Sequence, residues 1–321
     1  MNDCAHLTAQ DYKSGLKPIW CPGCGDYSVL TALAKAFAEL GRPKESVALI
    51  SGIGCSSRLP AYTSVYGLHG VHGRALAVAT GVKLAHPELL VIAAGGDGDG
   101  LSIGGNHFLH ACRRNVDMTY ILMDNQVYGM TKGQASPTTA ADWTESKLTP
   151  EGTGVAPVAP LHLALASGVN FFARGFAGNP NDLAQLIVAA VQHPGFSIVH
   201  VLSPCITFRP EQRAWKQAVH AADAAPATRP EEAFARFAAD DGFTTGILFA
   251  GDRAPFMPAR RTTMTVADIE HGFAKRRGFG PVTAPVRAAD AADDDESALA
   301  TLPTPPDGDA LAPAGCAVRL I

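Results

Sequence analysis

Segments with helical periodicity alternate with short, continuous apolar segments between about residues 26 and 202. The first segment repeats apolar residues at helical spacing, with Asp26 as the predicted N-cap and Gly41 as the predicted end of the helix. The next is the strand-length apolar run Val47–Ser51, which opens into a glycine turn. This alternation predicts an α/β fold with a doubly wound, mostly parallel sheet.

The same pattern continues along the chain. A predicted helix at 73–86 ends at Pro87, and an apolar strand at 89–94 runs into the glycine-rich sequence at 95–100. The long polar loop after residue 124 is typical either of a binding loop or of a disordered one. The pattern further predicts a helix at 102–114, a strand at 118–124, a strand at 170–174, a helix at 181–192 and a strand at 196–202.

Composition and charge exclude several classes of protein. The chain has 321 residues, of which 47% are hydrophobic and 17% are charged, and this is typical of a globular protein. Its 26 basic and 30 acidic residues give a net charge of −4, with no electrostatic footprint for nucleic acid or an anionic membrane. The apolar runs are strand-sized, and the first residues lack a basic-then-apolar signal region. We therefore expect no nucleic-acid or membrane partner and a cytoplasmic location.

Two polar residues follow two apolar strands at a distance that suits one shared ion. Asp97 is flanked by glycines directly after the strand at 89–94, and Asn125 follows the strand at 118–124. One helix and one strand fit between them, so both are expected at the same edge of the sheet. Carboxylate and amide oxygens suit magnesium, which adds phosphate oxygens and water, so the pair indicates a metal-diphosphate clamp. The alternative is a purely structural glycine turn.

The residues around this clamp resemble a known motif. Gly96-Asp97-Gly98, followed by Asp124-Asn125-Gln126, resembles the thiamine diphosphate motif of thiamine-dependent enzymes. Gly70-Val71-His72-Gly73-Arg74 and the run at 128–138 closely resemble the β subunit of 2-oxoacid:ferredoxin oxidoreductases. The resemblance covers about residues 17–210 and implies the thiamine diphosphate-binding fold for that region.

The resemblance also implies the cofactors and their ligands. Magnesium would be bound by Asp97, the Asn125 side chain and the Val127 carbonyl, and it would hold thiamine diphosphate. Coenzyme A would be a co-substrate. The residues expected to contact the thiamine cofactor are Ile53, Gly54, Cys55, Ser56, His72, Gly96, Asp97, Gly98, Asp99, Asn125, Val127 and Thr131.

Four of the seven cysteines are predicted to converge near the same sheet edge. Cys21 and Cys24 lie on one tight turn, Cys55 lies in the glycine turn after the strand at 47–51, and Cys205 follows the last predicted strand. Four thiolates suit either an iron-sulfur cluster or tetrahedral zinc, and the residues alone leave both open. The resemblance implies a [4Fe-4S] cluster on these four positions. The cysteines without an assigned function are Cys4, Cys112 and Cys316.

Two further residues are candidates for contact with the substrate. His72 can exchange protons near neutral pH, and the resembled motif has a histidine near the reacting centre; the alternative is a structural histidine. Arg58 could bind the substrate carboxylate through two hydrogen bonds, or it could be a solvated arginine. Met130 is expected to border the pocket for the substrate side chain.

The reaction implied by the resemblance is the oxidative decarboxylation of a 2-oxoacid to an acyl-CoA and carbon dioxide. Single electrons would pass through the cluster to ferredoxin. 2-Oxoglutarate is favoured as the substrate on overall resemblance, with pyruvate second. Thiamine enzymes also need a glutamate against the aminopyrimidine, normally from a second domain of similar fold, and this sequence has no internal repeat. We therefore expect an α subunit to supply that glutamate and part of the substrate pocket.

The expected domain organisation follows from the extent of the resemblance. An N-terminal arm at 1–16 precedes the thiamine diphosphate-binding domain at 17–210. The composition then shifts to alanine, proline and charge, which predicts an irregular C-terminal extension at 211–282. The last segment, 283–321, has repeated prolines and an acidic block at 293–296, so it is predicted to be disordered.

Two other classes of protein remain open at this point. A non-oxidative thiamine diphosphate-dependent decarboxylase or synthase subunit would keep Asp97 and Asn125 but would need no cluster. A zinc-stabilised binding module would use the four cysteines, and its glycine turns would be structural. A nicotinamide site is a weak alternative, because Ser57 stands where the dinucleotide fingerprint has its last glycine.

Overall fold

A central sheet of eight strands organises residues 7–256, the part of the chain that the computed structural model describes. Every neighbouring pair of strands is parallel except one, which joins the fifth and eighth strands. The strands are β1 (Val47–Ser51), β2 (Tyr66–His69), β3 (Leu90–Gly96), β4 (Met118–Asp124), β5 (Phe171–Phe176), β6 (Phe196–Leu202), β7 (His220–Ala221) and β8 (Thr244–Ala250), in the spatial order β2-β1-β3-β4-β6-β5-β8-β7.

Helices cover both faces of the sheet. Along β1 the side chains alternate between two cores, with Val47 and Leu49 in one and Ala48 and Ile50 in the other. The first core is closed by α1 and α5, and the second by α2, α3, α4 and α7. The helices are α1 (Asp26–Leu40), α2 (Ala75–Ala85), α3 (Gly105–Arg114), α4 (Pro160–Ala166), α5 (Pro180–Gln192), α6 (Trp215–Ala218) and α7 (Pro230–Arg236).

This layered arrangement confirms the predicted α/β fold with a doubly wound, mostly parallel sheet. The strands predicted at 47–51, 118–124 and 196–202 have the bounds of β1, β4 and β6. Helix α1 ends as predicted, because Gly41 adopts the left-handed conformation with φ 60°. Within residues 7–256, no helix combines the length and the apolarity needed to cross a membrane.

The start of α1 differs from the prediction at Asp26. Gly25 occupies the N-cap position, and Asp26 is the first helical residue. The carboxylate of Asp26 is buried and accepts a hydrogen bond of 2.9 Å from the Ser203 hydroxyl, beyond the end of β6. The prediction of Asp26 as the N-cap is therefore wrong, because this side chain is used in a tertiary contact and not by the helix terminus.

Some local structure lies outside the predicted pattern. The short edge strand β2 is exposed along its whole length, and a π-helical turn at Gly98–Ile103 precedes α3. The extension after residue 210, predicted to be irregular, contains the short helices α6 and α7, and it adds β8 to the sheet by antiparallel pairing with β5. The domain bounds at 17 and 210 stay predictions, and the predicted tail, Cys4 and Cys316 lie outside the described residues.

The register of the strands brings four loops to one edge of the sheet. Ser51 of β1 pairs with Ala94 of β3, and Gly96 pairs with Met123 of β4. The last residue of β4 pairs in turn with the last residue of β6. The loops after β1, β3, β4 and β6 therefore begin side by side at the carboxyl edge, where doubly wound sheets bind ligands.

Candidate active site

A cavity of about 220 Å³ opens at this carboxyl edge, between the loops after β1, β3 and β4. Every residue that the sequence indicated for contact with thiamine diphosphate lines it. The same walls also include Tyr128, Gly129 and Met130, from the loop after β4. The structure thus brings one predicted residue set, drawn from distant parts of the chain, to a single cavity.

Asp97 lies at the inner wall of this cavity with its carboxylate almost fully buried, 2% exposed. Both of its side-chain contacts with hydroxyl groups are made by Oδ2, which accepts hydrogen bonds from Ser136 and, at 2.8 Å, from Thr138. None of the ion pairs in the described residues includes Asp97. A buried carboxylate without a cationic side chain fits a metal ligand, since a bound cation would supply the missing charge.

Burial and the neighbouring Asp124 carboxylate raise the pKa of Asp97 to about 7. The hydroxyls of Ser136 and Thr138 favour the ionised form and act in the opposite direction. Thr138 also lies 2.7 Å from Asp124, so its single hydroxyl proton stands between two carboxylates. Near neutral pH a metal ion at Asp97 therefore competes with a proton.

The other two expected magnesium ligands follow directly in the chain. The Asn125 Oδ1 accepts a hydrogen bond of 3.1 Å from the Val127 amide, which fixes the turn after β4. The Val127 carbonyl accepts one hydrogen bond of 3.0 Å from Gly129, so one lone pair is left. The donor set of carboxylate, amide oxygen and backbone carbonyl is the hard-oxygen set that suits magnesium.

Glycine at position 98 allows two loops to touch across the cavity. The hydroxyl of Tyr128 donates a hydrogen bond of 3.2 Å to the Gly98 carbonyl, and its ring packs against the Gly98 backbone. A Cβ at position 98 would stand 2.2 Å from a ring carbon of Tyr128. This close approach explains the glycine after Asp97, and it holds the loops after β3 and β4 together.

Asp99 joins three segments around His72. The Asp99 Oδ1 accepts hydrogen bonds from the amides of Ile53 at 2.9 Å and Gly73 at 2.8 Å, and it lies 2.8 Å from the His72 Nδ1. An ionised carboxylate can only accept hydrogen bonds, so the His72 Nδ1 carries the proton and Nε2 is left with its lone pair. His72 lines the cavity, so this arrangement suits proton exchange with a bound molecule.

A second cavity of about 190 Å³ lies beside the first and contains the four cysteines that were predicted to converge. Cys21, Cys24, Cys55 and Cys205 all line it, together with apolar residues such as Ile206. Cys112, in contrast, lies in the core and lines neither cavity, in agreement with its lack of an assigned function.

Close backbone packing brings the cysteine turn to the end of β6. The Gly25 amide donates a hydrogen bond of 3.0 Å to the Pro204 carbonyl. A Cβ at Gly25 would stand 2.6 Å from the Ser203 hydroxyl oxygen, so only glycine permits this approach. The turn itself needs Gly23, which has φ +80°. Two glycines thus set the position of Cys24 relative to Cys205.

Three of the four thiols in this cavity, those of Cys24, Cys55 and Cys205, have a pKa above the ordinary value of a thiol. Burial, with the nearby Asp26 carboxylate, raises the pKa of Cys55 to about 11. Burial also raises the pKa of Cys24 and of Cys205. Within residues 7–256, no three His, Cys, Asp or Glu side chains are arranged to hold a single metal ion. A metal bound by these thiols would displace their protons.

Arg58 lies with the cysteines and not in the first cavity. It lines the second cavity, and its Nε donates a hydrogen bond of 2.9 Å to the Tyr62 hydroxyl. The guanidinium also lowers the pKa of Cys55, although burial and Asp26 outweigh it. The structure therefore does not bring Arg58 to the walls of the cavity that contains Asp97 and His72, and its contact with a substrate carboxylate stays a prediction.

Sequence reasoning missed a buried residue that joins the two cavities. The Gln212 side chain donates a hydrogen bond of 2.7 Å to the Asn125 carbonyl and accepts one of 2.8 Å from the Cys205 amide. It lies in the region expected to be irregular, and no local pattern distinguishes it. Ser136 and Thr138 were also not singled out. They lie in the run at 128–138 on which the resemblance rests, and that run could have indicated them as residues of the site.

Comparison with known proteins assigns the class first. Residues 52–201 match the family described as thiamine pyrophosphate enzyme, C-terminal TPP binding domain. This range contains Asp97, Asn125 and the strands that position them. The fold, the cavity and this match define a protein of the thiamine diphosphate-binding class.

Individual relatives narrow this class to one family. The 2-oxoacid:ferredoxin oxidoreductase subunit beta of Saccharolobus solfataricus is 42% identical over 248 residues, which are 74% of this chain and 79% of that protein. Subunit beta of 2-oxoacid:ferredoxin oxidoreductase 2 from Aeropyrum pernix is 48% identical over 198 residues, 62% of this chain and 64% of the relative. The 2-oxoglutarate oxidoreductase subunit KorB of Mycobacterium tuberculosis is 46% identical over 199 residues, 62% of this chain and 53% of the relative.

A solved structure agrees with these relatives. The 2-oxoglutarate:ferredoxin oxidoreductase from Magnetococcus marinus, with 2-oxoglutarate, coenzyme A and succinyl-CoA bound, is 40% identical and superposes with a TM-score of 0.74. The match covers 86% of this chain and 92% of that chain. The chain belongs to the family of 2-oxoacid:ferredoxin oxidoreductase β subunits.

Proposed function

We propose that the chain is the β subunit of an oxidoreductase that decarboxylates a 2-oxoacid, forms an acyl-CoA and passes single electrons to ferredoxin. One observation carries this proposal: the cavity with the expected cofactor residues and the cavity with the four cysteines share a wall. Cys55, Asn125, Gly129 and Met130 line both. A cofactor in one and a cluster in the other would lie close enough for direct electron transfer.

Asp97, Asn125 and the Val127 carbonyl would hold magnesium, and the ion would hold the diphosphate of thiamine diphosphate. The support is the buried, unpaired carboxylate and the hard-oxygen donor set described above. When bound, thiamine diphosphate supplies the carbanion chemistry of the reaction. His72, oriented by Asp99, would exchange a proton with the bound molecules through its Nε2.

Cys21, Cys24, Cys55 and Cys205 would hold a [4Fe-4S] cluster. Their cavity has soft thiol donors and apolar walls, which suit an iron-sulfur cluster. This donor set also distinguishes the proposal from a non-oxidative thiamine enzyme, which needs no cluster.

2-Oxoglutarate is the proposed substrate, with pyruvate second. Support comes from relatives, since the protein from Mycobacterium tuberculosis is named a 2-oxoglutarate oxidoreductase subunit and the Magnetococcus marinus structure holds 2-oxoglutarate. Met130 lines the cavity and is 46% exposed, so it is available to border a substrate side chain. We place this enzyme in the cytoplasm, together with ferredoxin.

An α subunit is proposed to complete the cavity. Apolar side chains with large exposed fractions flank the loops that form the cavity: Val71 is 70% exposed, Ile103 is 49% exposed and Ile53 is 40% exposed. Exposed apolar groups of this kind mark surfaces that bind another protein. The α subunit would cover them and supply the glutamate that activates thiamine diphosphate.

Metal analysis of anaerobically purified protein tests the proposal directly. We expect iron and acid-labile sulfide in equal amounts, with a visible absorption band that dithionite bleaches. Zinc in place of iron would favour a structural zinc module, and the absence of metal would favour a non-oxidative thiamine enzyme.

Two cysteine variants control this measurement. Cys205→Ala should lose the iron and the visible band, because it removes one of the four thiols around the second cavity. Cys112→Ala changes a buried cysteine that lines neither cavity, so its iron content should equal that of the unchanged protein. Equal loss in both variants would show that the iron is not held by these four thiols.

A further inference from the structure

Buried polar side chains form a continuous hydrogen-bond network that begins at Asp97. The Thr138 hydroxyl lies 2.8 Å from the Asp97 Oδ2 and 2.7 Å from the Asp124 Oδ1. On its other oxygen, Asp124 lies 2.9 Å from the His200 Nε2. All four side chains are at most 5% exposed, so water does not interrupt their contacts.

The hydrogen-bond network continues from His200 to an ion pair. The Arg174 Nε donates a hydrogen bond of 3.1 Å to the His200 Nδ1. The two terminal nitrogens of Arg174 bind the two carboxylate oxygens of Asp240, at 3.0 and 2.6 Å. Arg174 is 1% exposed, so Asp240 is the partner that makes its buried charge tolerable.

The direction of these hydrogen bonds follows from the chemistry of arginine. A guanidinium has only donors, so the His200 Nδ1 must accept, and the ring proton lies on Nε2. Nε2 therefore donates to Asp124, which also accepts a hydrogen bond of 3.1 Å from the Gln126 amide. Asp124 is thus held by an oriented donor, and the residue between it and Gln126 is Asn125.

The last residue of this hydrogen-bond network, Asp240, lies outside the region that matches the thiamine enzyme family. Asp240 lies between α7 and β8, whereas the family match ends at residue 201. The other members are Asp97 in the loop after β3, Asp124 in β4, Arg174 in β5, His200 in β6 and Thr138 in the loop at 125–159. A segment of the C-terminal extension therefore reaches, through buried contacts, the two expected magnesium ligands.

We infer that the Arg174–Asp240 ion pair positions the metal-diphosphate clamp by acting through His200, Asp124 and Thr138. The inference rests on the proposed function, because it assumes that Asp97 and Asn125 bind magnesium. Loss of the Asp240 charge would leave Arg174 buried without its partner and would disturb the group that orients Asp124. Substitution of such outer residues typically weakens metal binding by roughly 10- to 100-fold.

The test measures binding and not turnover. The complex of this chain with its partner subunit is dialysed against thiamine diphosphate, and the bound cofactor is measured as magnesium chloride is titrated. Asp240→Asn should raise the half-saturating magnesium concentration by roughly 10- to 100-fold. The control is Glu232→Gln, which breaks the more exposed Glu232–Arg236 pair of 2.6 Å on α7 and should leave that concentration unchanged.

Thr138→Val is the second variant, because it removes the hydroxyl that links Asp97 to Asp124 without removing a charge. If Asp240 acts through Thr138, the double variant should bind magnesium no more weakly than Thr138→Val alone. Thermal unfolding of each variant separates a structural effect from a positioning effect.

Three outcomes would overturn the inference, and the third would overturn the proposed function as well. A lower melting temperature of Asp240→Asn with an unchanged magnesium dependence would mean that the ion pair only stabilises the fold. Multiplying effects in the double variant would mean that Asp240 does not act through Thr138. If the unchanged complex bound no thiamine diphosphate at any magnesium concentration, the proposed function would fall, and the inference with it.

Discussion

Asp97 is a buried carboxylate whose surroundings oppose its negative charge. Its carboxylate is buried beside Asp124, and its hydrogen-bond donors are two hydroxyls and the Asn125 amide. A cation is the partner that would remove this electrostatic cost. At the residue scale, the proposed binding of a metal ion therefore depends on a single side chain.

Asp97→Ala is expected to abolish magnesium-dependent binding of thiamine diphosphate, because it removes the single anionic ligand assigned to the ion. Asp97→Asn keeps the shape but removes the charge, and it should show the same loss. Binding is measured by equilibrium dialysis with the partner subunit present. Affinity that survives in both variants would mean that the clamp lies elsewhere.

The stability of the metal-free chain should depend on pH through the same residue. The folded state holds the Asp97 proton with a pKa of about 7, whereas the ordinary value is 3.8, so stability present at low pH is lost as the pH rises through 7. Between about pH 6.5 and 8 the loss should be on the order of 1 kcal/mol. Burial lowers the pKa of His200, which gives the opposite slope up to and somewhat above its ordinary value of 6.5.

Urea unfolding in the presence of a chelator measures this effect. Comparison with Asp97→Asn at both pH values cancels the contributions of all other groups, and the variant should lack the additional loss. Identical pH dependence in the two proteins would contradict the assignment of a raised pKa to Asp97.

At the scale of elements, the site depends on loops that touch because glycine stands between them. Gly98 lets the loop after β3 pack against Tyr128 in the loop after β4, and Gly25 lets the cysteine turn reach Pro204 after β6. The glycine turns were visible in the sequence, but the residues they touch were not. Which loops meet depends on strand order, and the pairing of β4 with β6 is a contact across more than 70 residues.

Gly98→Ala should destabilise the chain by about 1–3 kcal/mol, because its Cβ would overlap the Tyr128 ring. Displacement of Tyr128 should also weaken magnesium-dependent cofactor binding. The matched control is Gly81→Ala in α2, where a Cβ meets nothing within 4 Å and should stabilise the helix by up to about 1 kcal/mol. Thermal unfolding of both variants checks the prediction, and equal stability of the two would contradict it.

At the scale of the whole molecule, no glutamate of residues 7–256 lines the cavity that contains Asp97. Thiamine enzymes need a glutamate against the aminopyrimidine, and this chain has one copy of the cofactor-binding pattern. If the proposed function is correct, the isolated chain should bind an iron-sulfur cluster but turn over poorly. Addition of the α subunit should restore coenzyme A-dependent reduction of ferredoxin by 2-oxoglutarate. Full activity of the isolated chain would contradict a shared active site.

The sequence by itself determined the main elements and the residue types of the site. Helical and strand periodicity predicted the fold class, and the motifs around Asp97, Asn125 and the four cysteines named residues that line two adjacent cavities. These signals are local, because a strand followed by a glycine turn records its structure in neighbouring residues.

Tertiary structure alone decided how these residues are connected. Asp26 contacts Ser203 and does not cap its helix. Arg58 lines the cavity that contains the four cysteines and not the cavity that contains Asp97. Gln212 contacts Asn125 and Asp240 contacts Arg174, and both residues lie in a segment without a recognisable pattern. Such contacts join residues far apart in the chain, and their energy depends on burial and on the partner, neither of which is recorded in the local sequence.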